Sequence, residues 1–148
     1  MKRHIDVQAC IDDAMDVFHN GYACSESVIY SLNKHFEFGL SEDAIAMSSG
    51  FPWGLGGGGC LCGAVAGGAM CLGFVFGRRV QGDPCIDKCF EVTKEFHDSF
   101  KNVFNSTCCG VLIQGMDRDA PDRKLKCSDQ VAFAIKSVSE IITRELNI

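Results

Sequence analysis

The chain has 148 residues, of which 47% are hydrophobic, so it is the size of one ordinary domain with enough apolar material for a real core. Its net charge of −5 and scattered basic residues exclude an electrostatic footprint for nucleic acid. Ten cysteines are the unusual number; in a reducing compartment such richness points to metal, cluster or redox chemistry rather than to disulfides.

The first residues, MKRHIDVQACIDDAMD, carry two early positive charges without an apolar run behind them. Asp6, Asp12 and Asp13 interrupt any signal-peptide core, and the expectation is a cytoplasmic protein. Val7, Ile11, Ala14, Met15 and Phe18 mark one face of a first helix, which Asn20-Gly21 stops. A second helix starts near Cys24-Ser25-Glu26 and buries Val28, Ile29, Leu32 and Phe36. Ser41-Glu42-Asp43 caps a short third helix, ended by Gly50 and Pro52.

A glycine-dense stretch, GLGGGGCLCGAVAGGAMCLG, occupies positions 54–73. A fourth helix is predicted from about Cys62 to Phe76; this apolar segment falls short of the ~20 residues that a membrane span needs. Asp83-Pro84 reads as the N-cap and first residue of a fifth helix, with a stripe of Cys85, Cys89, Val92, Phe96, Phe100 and Val103. A turn follows around Thr107–Ile113, then the exposed loop GMDRDAPDRK. The last helix is expected to bury Cys127, Val131, Ala134, Ile135, Val138, Ile142 and Leu146. With no strand-length alternation, repeat or linker, the reading is all-α: one helical bundle of about five to seven helices, spanning 1–148, with a glycine-rich loop at the cysteine site.

Gly54-x-Gly56-x-x-Gly59 matches a dinucleotide fingerprint on paper, but that fingerprint needs a strand before it, and none is predicted. No C-x-x-C pair occurs, which removes the commonest zinc spacing. Cys85 and Cys89, on a helical stripe, read as packing, as do Cys10 and Cys71. His4, His19, His35 and His97 are each isolated and read as solvated helix residues. Cys24, Cys60, Cys62, Cys108 and Cys109 fall at helix starts or in the turns before them, where unpaired N–H groups favour thiolate; Cys127 falls near the start of the last helix.

FHNGYACSESV gives F-x-x-G-x-x-C-S at Phe18–Ser25; CGAVAGG gives Cys62-Gly63-Ala64-x-x-Gly67; STCCGVLIQGMD carries Cys109, Leu112 and Gly115; and Cys127 follows. Together these resemble the redox-active family named for its C…CGAxxG…C…C signature, to which the cysteine-bearing domain of split-Soret cytochrome is related. The resemblance runs from about residue 15 to the end of the chain. It implies an α-helical fold and a four-cysteine redox site at Cys24, Cys62, Cys109 and Cys127. In the split-Soret relative the corresponding domain carries an iron–sulfur cluster.

Cys60 and Cys108 are extra thiols beside signature positions and stand as alternate ligands. Gln114 is an insertion before Gly115, and the absence of C-x-x-C-H removes covalent haem. Gly58 and Gly59 are expected to let backbone approach a cluster, and Gly63 to thin the helix surface beside it.

The first expectation is therefore a redox protein with an iron–sulfur cluster, most simply [2Fe–2S], on four thiolates. A metal-free thiol/disulfide oxidoreductase using the same four cysteines, and a zinc-binding structural or interaction protein, are the alternatives. A redox partner of unspecified identity is expected, with neither nucleic acid nor membrane insertion; a homodimer is left open.

Overall fold

The computed structural model describes residues 1–148. Eight helical segments follow one another: α1 (Val7–His19), α2 (Cys24–Phe36), α3 (Glu42–Met47), α4 (Pro52–Leu55), α5 (Gly63–Phe76), α6 (Ile86–Phe104), α7 (Cys109–Leu112) and α8 (Pro121–Leu146). There is no strand, so the all-α reading holds. α4 is helical only by its hydrogen bonds: Trp53 and Gly54 have φ of 63° and 68°. Without it seven helices remain, the upper end of the expected range.

Local chemistry sets the boundaries of α1 and α2. The Asp6 carboxylate accepts from Ala9 N–H at 3.1 Å and caps α1, and Asn20 closes it by donating its N–H to the Val17 carbonyl. At α2 the Glu26 carboxylate reaches back to the Ala23 N–H at 3.2 Å, half of a capping box. Glu37 ends that helix in a left-handed conformation, φ 54°. Cys10, Ala14 and Phe18, spaced four apart, form the buried stripe of α1.

α5 is the central element. Gly63, Ala64, Val65, Ala66, Gly67 and Gly68 are all buried, which puts its whole first half out of solvent. A helix buried on several sides needs small residues where neighbours come closest. A Cβ on Gly67 would stand 2.7 Å from the Ser25 carbonyl oxygen of α2, and one on Gly68 would stand 2.7 Å from Phe96 Cζ of α6 and 3.1 Å from Val138 Cγ2 of α8. Two adjacent glycines thus admit three different helices. Around this axis Leu32 and Phe36 of α2, Phe96 and Phe100 of α6, and Ile135 and Ile142 of α8 complete one core. Each such aliphatic or aromatic side chain contributes roughly 1.5–3 kcal/mol by leaving water.

Two expected boundaries moved, and some side chains face differently from expectation. α6 begins at Ile86 rather than at Pro84: the Asp83 carboxylate accepts from the Cys85 N–H at 2.9 Å, and that local turn delays the helix. Cys85 is consequently exposed, not packed. At the other end Val103 faces solvent, and Phe104 takes the inward position, 4.7 Å from the Phe100 ring and 5.5 Å from that of Phe133. α8 starts at Pro121, so the last four residues of the expected loop GMDRDAPDRK are already helix and Cys127 lies in the second turn. Proline as the first helical residue explains the early start. Cys127 is half-buried and Leu146 is exposed, where both were expected inside. No helix is long and apolar enough to cross a membrane.

Candidate functional site

Four elements each deliver one thiol. Cys24 is the first residue of α2, Cys62 immediately precedes α5, Cys109 is the first residue of α7, and Cys127 projects from the second turn of α8. Cys24 lies in the electrostatic field of Cys62, Cys127 and Cys109; Cys62 in that of Cys109 and Cys127; Cys109 in that of Cys127. Each of the four thiols therefore lies within electrostatic range of the other three. Cys24, Cys109 and Cys127 line a cavity of about 200 Å³ together with Phe18, Trp53 and Arg123. Cys62 is buried, and a Cβ on the adjoining Gly63 would run into the Cys24 sulfur.

Burial governs the protonation of these thiols. Desolvation first, then the neighbouring Cys62, pushes Cys24 up to about 12; the Ser25 N–H pulls the other way. Burial likewise pushes Cys62 up to about 11 against the N–H groups of Val65 and Ala64. Cys109 is raised by burial and by Cys127, with Arg123 and Arg118 opposing. Helix starts were expected to favour thiolate here. The donors are present, but loss of water outweighs them, and the metal-free thiols Cys24, Cys62 and Cys109 stay protonated.

Positive charge gathers at the mouth. The guanidinium of Arg118 lies 3.9 Å, and that of Arg123 4.4 Å, from the centre of the Trp53 ring. Arg123 Nη1 donates to Cys127 Sγ at 3.9 Å, and Lys124 lies over the Phe18 ring. Beneath, Cys62 Sγ donates to Gln130 Oε1 at 3.8 Å. Sequence reasoning missed Trp53, Arg118, Arg123 and Gln130. Arg123 and Gln130 were findable in principle, since they lie four residues before and three after Cys127, on the same helix face. Trp53 and Arg118 carry no such signal.

Cys60 and Cys108, expected as alternate ligands, are joined to each other in a disulfide, with Cα atoms 4.2 Å apart. Neither is a free thiol here. Flanking backbone explains their meeting: Gly110 N–H donates to the Gly59 carbonyl at 2.8 Å and Cys62 N–H to the Thr107 carbonyl at 2.7 Å. The loop before α5 and the turn before α7 are thereby tied together beside the site.

The glycines divide. Gly63 abuts a site sulfur, as above. Gly59, at φ 92°, shares a shallow depression with Cys109, and its carbonyl holds Gly110. A Cβ on Gly58 would meet the Gly54 carbonyl at 3.0 Å, so the close approach of Gly58 is to its own loop. Cys10, Cys71 and Cys89 are buried packing residues. His35, read as solvated, is instead mostly buried, with Nε2 2.7 Å from an Asp13 carboxylate oxygen.

No three His, Cys, Asp or Glu side chains close on a single point tightly enough to hold one metal ion. Three of the four thiols line one cavity, and Cys62 lies buried within electrostatic range of them. Their soft donor chemistry suits iron–sulfur ligation. A further sign is an orphaned donor: Gln130 Nε2 is buried among these groups without a hydrogen-bond partner. On both counts the residues present fit a cluster.

The profile of a protein family described as "Putative redox-active protein (C_GCAxxG_C_C)" matches residues 22–141, a span that includes all four thiols. A relative from Archaeoglobus fulgidus, described as an uncharacterized protein, is 25% identical over 125 residues, covering 76% of this chain and 80% of its own length. No solved structure matches.

Proposed function

The chain belongs to the C_GCAxxG_C_C redox-active protein family, and on that premise we propose that it holds an iron–sulfur cluster, most simply [2Fe–2S], on Cys24, Cys62, Cys109 and Cys127, for electron transfer or redox sensing. One observation carries this reading: Cys24, Cys109 and Cys127, from three separate elements, line one cavity, and Cys62 lies buried within electrostatic range of all three and adjoins the Cys24 sulfur through Gly63. Four cysteine thiolates would be the donor set for such a cluster. When bound, the cluster supplies one-electron redox chemistry.

The chain's own groups then have definite tasks. Cys24 and Cys62 are fixed relative to each other because α2 and α5 touch through Gly67. The N–H groups at the starts of α2 and α5 favour charge on the Cys24 and Cys62 sulfurs, and such donors would raise the reduction potential of a bound cluster. Arg118 and Arg123 place positive charge beside Cys109, offsetting the negative charge of thiolates on a cluster.

A metal-free thiol/disulfide oxidoreductase is the second reading, and the Cys60–Cys108 disulfide beside the site favours it. Against it, burial keeps Cys24 and Cys62 as thiols, the weakly nucleophilic form.

Four single Cys→Ser variants, purified without air, separate the readings. Each of Cys24→Ser, Cys62→Ser, Cys109→Ser and Cys127→Ser should lose most of its iron. Cys89→Ala, a small core truncation costing about 1–2 kcal/mol, should keep it. Full iron content in any of the four serine variants would remove that cysteine from the ligand set.

A further inference from the structure

Gln130 is buried in α8, one turn beyond Cys127, and its exposure is 3%. A long amide in such a position needs its hydrogen bonds made internally. Only half of that need is met. Oε1 accepts from the Cys62 thiol at 3.8 Å, whereas Nε2 has no partner. Ser139 Oγ is the one other buried side-chain polar atom left so, and it belongs to a different turn of the helix. An unpaired buried N–H donor loses its hydration without compensation, so a group kept in this state calls for an acceptor that the metal-free protein does not supply.

We propose that Gln130 is the positioning residue for Cys62, an amide that holds this sulfur in both the metal-free and the ligated protein and raises the reduction potential of the site. The proposal rests on the cluster reading given above. In the metal-free protein the thiol is the donor and Oε1 the acceptor. A ligating sulfur has no proton to give and can only accept. Turning the terminal torsion of Gln130 by half a revolution exchanges oxygen for nitrogen at almost the same place, with no movement of backbone. Nε2–H then donates to the Cys62 sulfur, and the donor left without a partner in the metal-free state is satisfied. What remains unpaired is a carbonyl oxygen, the more tolerable orphan of the two. A donor on a ligand sulfur stabilises the more negative, reduced state of a cluster, so this contact raises its potential.

Two measurements on Gln130→Met test this, methionine matching glutamine in length without donor or strong acceptor. In metal-free protein the infrared S–H stretching band of Cys62, identified by its loss in Cys62→Ser, should move to higher frequency in Gln130→Met, because the hydrogen bond that softens it is gone. In protein purified without air, the variant should keep its iron and show a lower reduction potential than wild type. An unmoved S–H band, or an unchanged potential at full iron content, would overturn the proposal. If wild type carries no iron, the cluster reading fails and with it the tuning role, while the S–H band still reports whether the Gln130–Cys62 contact exists. Should Gln130→Met not fold, Gln130→Leu serves for the same pair of measurements.

Discussion

Gly67 and Ser25 meet backbone to backbone: a Cβ on Gly67 would stand 2.7 Å from the Ser25 carbonyl oxygen and 3.1 Å from Val28 Cβ. Ser25 follows Cys24, and Gly67 lies on the helix that Cys62 begins. This contact therefore sets the separation of two site thiols. Gly67→Ala should force α2 and α5 apart. Alanine is the better helix former by about 1 kcal/mol, but crowding a packed interface costs roughly 1–3 kcal/mol, and at this distance from a carbonyl oxygen the crowding dominates. Thermal unfolding should show a net loss of stability, and iron content should fall. A variant as stable as wild type and fully loaded would mean that the helices are not held by this contact.

Gly59→Val acts on the other side of the site. Gly59 has φ 92°, a region that a β-branched residue strongly disfavours, and its carbonyl accepts from Gly110, next to Cys109. Since α5 begins only at Gly63, helical circular dichroism should survive. Iron content or thiol reactivity should change. If neither does, the glycine loop is only a connection.

The helices were legible because their signals are local. The stripe of Val28, Ile29, Leu32 and Phe36 is buried as its spacing requires, and Asn20 ends α1 as expected. Boundaries failed where a side chain offered the backbone another bond, as Asp83 does at Cys85, or where proline began a helix inside an apparently polar loop, as at Pro121. At the site, the resemblance supplied the four cysteines. It could not supply their protonation, because burial is a property of the whole fold: Cys24 and Cys62 carry helix-start donors and are raised all the same. Nor could spacing show that Cys60 and Cys108, 48 residues apart, would bond to each other. Trp53 and Arg118 come together only through tertiary packing.

That disulfide makes its own prediction. Closing a loop of 48 residues should contribute about 2–4 kcal/mol, mainly by restricting the unfolded chain. Denaturant unfolding of the metal-free protein should therefore show a loss of that size on adding a thiol reductant. A variant carrying both Cys60→Ser and Cys108→Ser should match the reduced wild type and be indifferent to the reductant. Equal stability of wild type with and without reductant would contradict a closed Cys60–Cys108 bond.

Whether Cys24, Cys62, Cys109 and Cys127 hold an iron–sulfur cluster is decided by the visible absorption spectrum of wild-type protein purified without air, read with its iron and acid-labile sulfide content. The protein should be coloured, with thiolate-to-iron charge-transfer bands that bleach on reduction, and should contain iron and sulfide in equal amounts. A colourless protein free of iron and sulfide, whether it carries zinc or only titratable thiols, would contradict the cluster reading.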